Sequence, residues 1–159
     1  FCQRYTLDEI DSFIKKSSIF ETEDEIYILR AFMSYYDKDH LVASMLFISI
    51  IERWFRNLIR LMWLNILTLN DYWWYDYLPL SKLLTVNGCV LDEIFTSKDW
   101  EISYYYKFVL IEKLGMNLRN DCAHGIGRKK FLQKETANRL FHLIIGLALI
   151  KMRPNNKSS

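Results

Sequence analysis

One stretch of the chain gathers the residue types that act on a phosphodiester: Gly115-Met116-Asn117-Leu118-Arg119-Asn120-Asp121-Cys122-Ala123-His124-Gly125. An imidazole titrates near neutrality, so His124 can take or return the proton of a ribose 2′-OH. A guanidinium such as Arg119 can hold the phosphate that this oxygen attacks. Chemistry of this kind calls for no metal and no other cofactor. Asn120, one turn before His124, can orient the imidazole or hydrogen-bond the scissile phosphate, and Asn117 adds a second amide beside it. Asp121 fits an outer acceptor or a solvated charge. A plainer reading stands next to this one: a His beside Gly at a helix end, with an Arg one turn earlier, complements the C-terminal partial charge, so both can be capping residues only.

The element that must position these residues is a helix. Ile111, Leu114, Leu118 and Cys122 recur at i, i+3, i+7 and i+11, the spacing of one buried stripe, and Ser97 or Asp99 can cap a helix over 99–124. Lys113, Asn117, Asn120 and His124 then fall on the opposite, outward side, with Arg119 on a flank beside Glu112. On an undistorted helix Arg119 and His124 are about 7.5 Å apart in rise and diverge by roughly 140°, too far to grip one phosphate. Either the last turn unwinds at Gly125, a natural C′ residue, or two copies face each other across a two-fold axis and share a composite site.

Arg119-Asn120-Asp121-Cys122-Ala123-His124 matches R-x4-H, the lower limit of the R-x4-6-H signature of HEPN domains. The longer pattern of Asn117-Leu118-Arg119-Asn120 followed by Ala123-His124-Gly125 resembles the RNxxxHG hallmark of one HEPN-like branch of unknown function, found in bacteria and in eukaryotic endoplasmic-reticulum-associated RNA degradation proteins. Leu91-Asp92-Glu93-Ile94-Phe95, the run from Tyr106 to Gly115, and Ile51-Glu52-Arg53-Trp54-Phe55-Arg56 are similar to that branch in layout, so the likeness covers roughly residues 40 to 150. It implies an all-α helical bundle that dimerises and, in active members, cuts RNA without a metal. Arg119 and His124 carry over as the catalytic pair and Asn120 as their polar neighbour. HEPN toxins silenced by a nucleotidyltransferase often carry Tyr two residues after the His; this chain has Ile126. Other HEPN domains are catalytically silent, which leaves a dimerisation or RNA-binding module as the alternative, and a purely structural bundle as a third.

At 159 residues the chain suits one domain, read here as 1–153 with a disordered tail at 154–159, and it is long enough to bury a core without staples. Only 5 Gly and 2 Pro punctuate it, which favours helices over a turn-rich β architecture. The net charge of +2 gives no global attraction to nucleic acid, so any grip on RNA is local. A long helix expected over 40–69 supplies a candidate: Ser49, Glu52, Arg53, Arg56, Asn57 and Arg60 gather on one side of it. Arg53, Arg56 and Arg60 can contact phosphates while Glu52 steers Arg56 through an i, i+4 pair; the same stripe also reads as a solvated edge. Arg128 and Lys129, in a flexible basic loop behind His124, can steer phosphates too, or merely complement the helix end. Cys2, Cys89 and Cys122 lack the spacing of a zinc site or disulfide framework, so a reducing, cytoplasmic setting is expected. No apolar run reaches the length of a membrane span, and since the sequence begins at Phe1 other domains of a longer chain are expected as partners, together with RNA and a second copy.

Thr6-x-x-Glu9 and Thr22-x-x-Glu25 read as capping boxes for helices over 7–17 and 23–37. Asp39 caps the long helix, with His40 at its start. The aromatic clusters at Tyr72, Trp73, Trp74, Tyr75 and Tyr77, and at Tyr104-Tyr105-Tyr106, are expected to pack under a loop or at a subunit contact, base stacking being the alternative. Pro79 opens a short helix to Thr85, Asn87-Gly88 marks a turn, and Val90 to Phe95 forms another helical turn. A final amphipathic helix over 134–152 turns Leu140, Leu143, Ile144, Leu147 and Ile150 to the core and leaves His142 at its rim.

Overall fold

The Thr6 box forms: Glu9 N–H donates to Thr6 Oγ1 at 3.3 Å and Thr6 N–H to Glu9 Oε2 at 2.8 Å. It opens α1 (Leu7–Ile14), which buries Ile10 and Ile14. The computed structural model describes residues 5–62, 67–69, 75–77, 79–85 and 100–150. A short 3-10 turn (Thr22–Asp24) then leads into α2 (Glu25–Tyr36). The second box is shifted by one residue from Thr22/Glu25: Asp24 accepts from Glu21 N–H at 3.3 Å. The cause is tertiary, because the same carboxylate also accepts the buried indole N–H of Trp54 at 3.2 Å and pairs with Arg53.

Lys38, at φ 64°, turns the chain sharply between α2 and the next helix. Asp39 caps α3 (His40–Leu61), accepting from Val42 N–H at 3.2 Å. This helix is the axis of the bundle: Phe47, Ile51, Trp54, Phe55 and Leu58 are fully buried along it. Phe32 of α2 meets Phe47 and Phe141 edge-on, each at 5.3 Å between centroids, and Tyr35 stacks on Phe141 at 5.2 Å. Such pairs contribute ~0.5–1.5 kcal/mol each beyond their buried area.

The long helix ends earlier than expected. Leu67–Leu69 is a strand, β1, paired antiparallel with β2 (Tyr75–Tyr77) so that Leu67 faces Tyr77 and Leu69 faces Tyr75. A short apolar run fits strand or helix by period alone, and here the pairing partner decides. Tyr75 and Tyr77 are exposed on this ribbon rather than packed beneath a loop. The chain re-enters helix at α4 (Leu80–Thr85), where Lys82 N–H bonds Pro79 C=O at 2.9 Å.

Helix α5 (Trp100–Leu110) buries Tyr106, whose hydroxyl donates to Leu143 C=O at 2.8 Å, while Tyr104 stays exposed. The single helix expected over 99–124 is not formed. Ile111 and Glu112 N–H both bond Lys107 C=O at 2.9 Å, Met116 N–H returns to Phe108 C=O at 2.9 Å, and Asn117 adopts left-handed φ 52°. Gly115 presses against Phe108 so closely that a Cβ would sit 2.3 Å from its carbonyl oxygen. Leu114, expected in the buried stripe, is 95% exposed.

The chain resumes as α6 (Leu118–Ala123), then α7 (Arg128–Phe131), then α8 (Lys134–Ala148). The expected loop after Gly125 is therefore partly helical, anchored by buried Phe131. Leu140, Leu143, Ile144 and Leu147 of α8 are buried, Ile150 is partly so, and His142 is exposed. The fold class is all-α with one small β ribbon added. Among the described residues, no helix is long and apolar enough to cross a membrane. Cys2, Trp73, Trp74, Asn87-Gly88, the turn at Val90 to Phe95, the Ser97 and Asp99 caps and the 154–159 tail lie outside the described residues.

Candidate functional site: a braced arginine and an exposed histidine on one short helix

Leu118, fully buried, pins α6 against the bundle and so fixes where the next residues point. Arg119 follows and reaches α3: its Nε donates to Glu52 Oε2 and its Nη2 to Glu52 Oε1, both at 3.3 Å. Glu52 Oε1 also accepts from Arg56 Nη2 at 2.6 Å, so one carboxylate holds two guanidinium groups. The expected i, i+4 pair on α3 is present, and Arg119 joins it from 67 residues away. Burial pushes the Glu52 carboxyl up. The hydrogen bonds from Arg119 and Arg56, with their charges, outweigh that and hold it below the ordinary carboxylate range.

Arg119 thus lies half-buried between α6 and α3, not on an outward flank with Glu112; the helix break before α6 removes Glu112 from the same surface. Its Nη1 makes a long contact, 3.5 Å, with Asn120 Oδ1. The Asn120 amide donates to Asn117 Oδ1 at 2.8 Å, and Asn117 in turn donates to Asp121 at 3.4 Å. Lys130 of α7 closes this chain of polar contacts, donating to Asp121 Oδ2 at 2.8 Å and to Met116 C=O at 3.3 Å. Asn120 therefore acts on Arg119, and Asn117 and Asp121 link it to Lys130; none of the three bonds the imidazole among the described residues. Burial pushes the Cys122 thiol up, which keeps it protonated.

His124 caps α6 at its C-terminus, is exposed, and its imidazole has no hydrogen bond among the described residues. Gly125 N–H bonds Cys122 C=O at 3.2 Å and Ile126 N–H bonds Asp121 C=O at 2.8 Å, the two bonds of a Schellman motif, with Gly125 at φ 66° in the C′ position. His124 N–H still bonds Asn120 C=O at 3.0 Å. The last turn is intact, so the unwinding that would swing His124 toward Arg119 within one subunit does not occur. One side chain points to α3 and the other to solvent.

The arginine stripe of α3 is matched by acids. Arg53 meets Glu23 at 3.0 Å, Glu21 at 3.4 Å and buried Asp24; Arg60 pairs with Glu21; and Arg56 shares Glu52 while lying 5.7 Å from the Tyr77 ring centroid. Burial pushes the Asp24 carboxyl up, and the Arg53 charge with the bonds from Glu21 and Trp54 offsets this only in part. At short range the stripe's expected positive field is largely cancelled. Lys129 is exposed on α7; the side chain of Arg128 lies outside the described residues. Sequence reasoning missed the acidic partners Glu21, Glu23 and Asp24, and the contacts that Lys130 makes with Asp121 and Tyr77 with Arg56. The run Glu21-Thr22-Glu23-Asp24-Glu25 was the available signal, an acidic block of opposite sign to the stripe.

The fold and the site together define an all-α bundle that presents, on a six-residue helix and its C-cap, an arginine braced by a carboxylate and a histidine open to solvent. No protein family model, curated protein or solved structure matches the chain.

Proposed function

We propose that this chain is a HEPN-like endoribonuclease domain that works as a homodimer in the cytoplasm and cuts single-stranded RNA by 2′-OH attack. His124 takes the hydroxyl proton, the oxygen attacks the adjacent phosphorus, and the 5′-oxygen leaves with a proton returned from an imidazole. Arg119 neutralises the charge that builds on the phosphoryl oxygens. The products are a 2′,3′-cyclic phosphate and a 5′-hydroxyl end, and no metal takes part. The observation that carries this reading is the division of labour on α6: Arg119 is oriented by Glu52 and Asn120, while the His124 imidazole faces solvent with no internal partner among the described residues. Because the two diverge on an intact helix, a shared phosphodiester requires the second subunit.

Arg119→Ala and His124→Ala each abolish cleavage of labelled single-stranded RNA while leaving the helical circular dichroism unchanged, and EDTA does not inhibit the parent. Full activity in the double substitution overturns the assignment.

A second reading is supported by the same carboxylate. Arg119 gives two of its donors to Glu52, which suits a silent module for dimerisation or RNA retention. Retention of labelled RNA without cleavage, in a filter assay on the same preparation, decides for it.

A further inference from the structure

A cleft of about 430 Å³ opens between the turn before α2 and the outer face of α3. Arg53, Arg56 and Arg60 line it from α3, Glu21 and Glu23 from the turn, and Tyr77 from β2. Its volume lies in the range of small-ligand sites. The Glu21 carboxylate spans two of the arginines, with Oε2 3.4 Å from Arg53 and Oε1 on Arg60. A carboxylate gripped by two guanidinium groups one helical face apart occupies the place that a phosphate takes in an arginine pair. These pairs are weakly held. Glu23 is 81% exposed and Arg60 59%, so salt screens them and an incoming dianion can displace the carboxylates.

A further feature says what the anion is attached to. The Tyr77 ring carries Arg56 at 5.7 Å from its centroid, yet the residue is 63% exposed, leaving aromatic surface beside the cleft on which a base can stack. Arg56 also shares Glu52 with Arg119, so the cleft and the motif adjoin along one edge of α3.

We propose that the cleft anchors the phosphorylated end of an RNA strand. The terminal phosphomonoester displaces Glu21 from Arg53 and Arg60, and the terminal base lies on Tyr77. A phosphomonoester brings the double charge that Glu21 and Glu23 otherwise supply, which an internal phosphodiester, singly charged, does not. The inference rests on the reading of the chain as an RNA-binding protein, and it adds a selection for strand ends to it.

The test is fluorescence anisotropy on the full chain with 2′-O-methyl tetranucleotides, which cannot be cut by 2′-OH attack. The probes carry a 5′-phosphate, a 3′-phosphate or hydroxyls at both ends. A phosphorylated end binds about tenfold more tightly than hydroxyl ends. Glu21→Gln, which removes the internal competitor, tightens that binding, and Arg60→Ala weakens it. Tyr77→Ala weakens the tetranucleotide while leaving competition by inorganic phosphate unchanged. Equal affinity for phosphorylated and hydroxyl ends overturns the proposal, as does a Glu21→Gln variant that binds no more tightly than the parent. Cleavage is scored separately on unmodified RNA. End-selective binding without cleavage sinks the nuclease reading alone; cleavage without end selection sinks the cleft alone.

Discussion

Two guanidinium groups converge on the Glu52 carboxylate, 17% exposed, and neither has another carboxylate within reach among the described residues. A glutamine there keeps the shape and one acceptor oxygen, but it loses the negative charge that both arginines share and sets an amide donor where Oε2 accepted from Arg119 Nε. Glu52→Gln therefore costs about 1–3 kcal/mol, the penalty for leaving a partly buried charged donor unmatched, read as a fall in the urea midpoint. The pH dependence has a definite sign. The folded-state pKa of Glu52 is lowered, so its stabilisation is complete above the unfolded value near 4.5 and is lost as pH falls through the lower folded value. Asp24 runs the other way, because its folded pKa is raised, so its charged form weakens folding as pH climbs past its ordinary value. The difference in stability between parent and Glu52→Gln isolates the first effect: it is full at pH 6 and shrinks toward pH 3. A difference that stays constant across that range would show that Glu52 is not held by these arginines. In a cleaving enzyme the same variant lowers kcat more than it raises KM, since it loosens the orientation of Arg119 and not the bulk attraction for RNA. The residue types of the motif were legible in the sequence, but their partners were not. Glu52 and Arg119 are 67 positions apart and Glu21 and Arg53 are 32 apart, and no local periodicity reports a contact made across the bundle.

At the scale of elements, local chemistry was read well where it stayed local. Thr6 with Glu9, Asp39 with Val42 N–H, and Gly125 at a helix end all do what their side chains or their lack of one dictate. Legibility failed where tertiary contact outweighed pattern: the box closes between Glu21 and Asp24 in place of Thr22 and Glu25 because Arg53 and Trp54 draw Asp24 inward, and the stripe through Leu114 was a coincidence of spacing. Gly115 is the cause of the second failure. It permits the chain to fold back on Phe108, which sets the angle at which α6 leaves α5. Gly115→Ala forces the backbone apart and costs about 1–3 kcal/mol, as overpacking does, and it displaces Arg119 from Glu52, so under the proposed nuclease function cleavage falls further than stability alone explains. Gly125→Ala is the contrast. A Cβ there meets nothing within 4 Å, and only the left-handed φ of 66° is strained, at about 1–2 kcal/mol, with Arg119 undisturbed. Urea midpoints and kcat measured on both variants check the pair. If Gly115→Ala is tolerated to within roughly 0.5 kcal/mol, the turn does not hold the helix as described.

For the whole molecule, the divergence of Arg119 and His124 on an intact turn means that the proposed shared phosphodiester needs a second subunit. If the site takes its arginine from one protomer and its histidine from the other, then two dead variants can complement each other. Arg119→Ala retains His124, and His124→Ala retains Arg119, so a mixed dimer holds one site with both groups and one with neither. Random association of equal amounts makes half of the dimers mixed, each with one of two sites intact, and recovers about a quarter of parental activity. The experiment is to unfold the two variants together, refold them, and measure cleavage against the same variants refolded apart. Recovery also depends on concentration, falling as dilution splits the dimers, while the variants refolded apart control for contamination by parent protein. Were the mixture as inactive as its components, with dimers present by light scattering, Arg119 and His124 would not meet across the two-fold axis, and the composite site would have to be abandoned whatever the bundle itself binds.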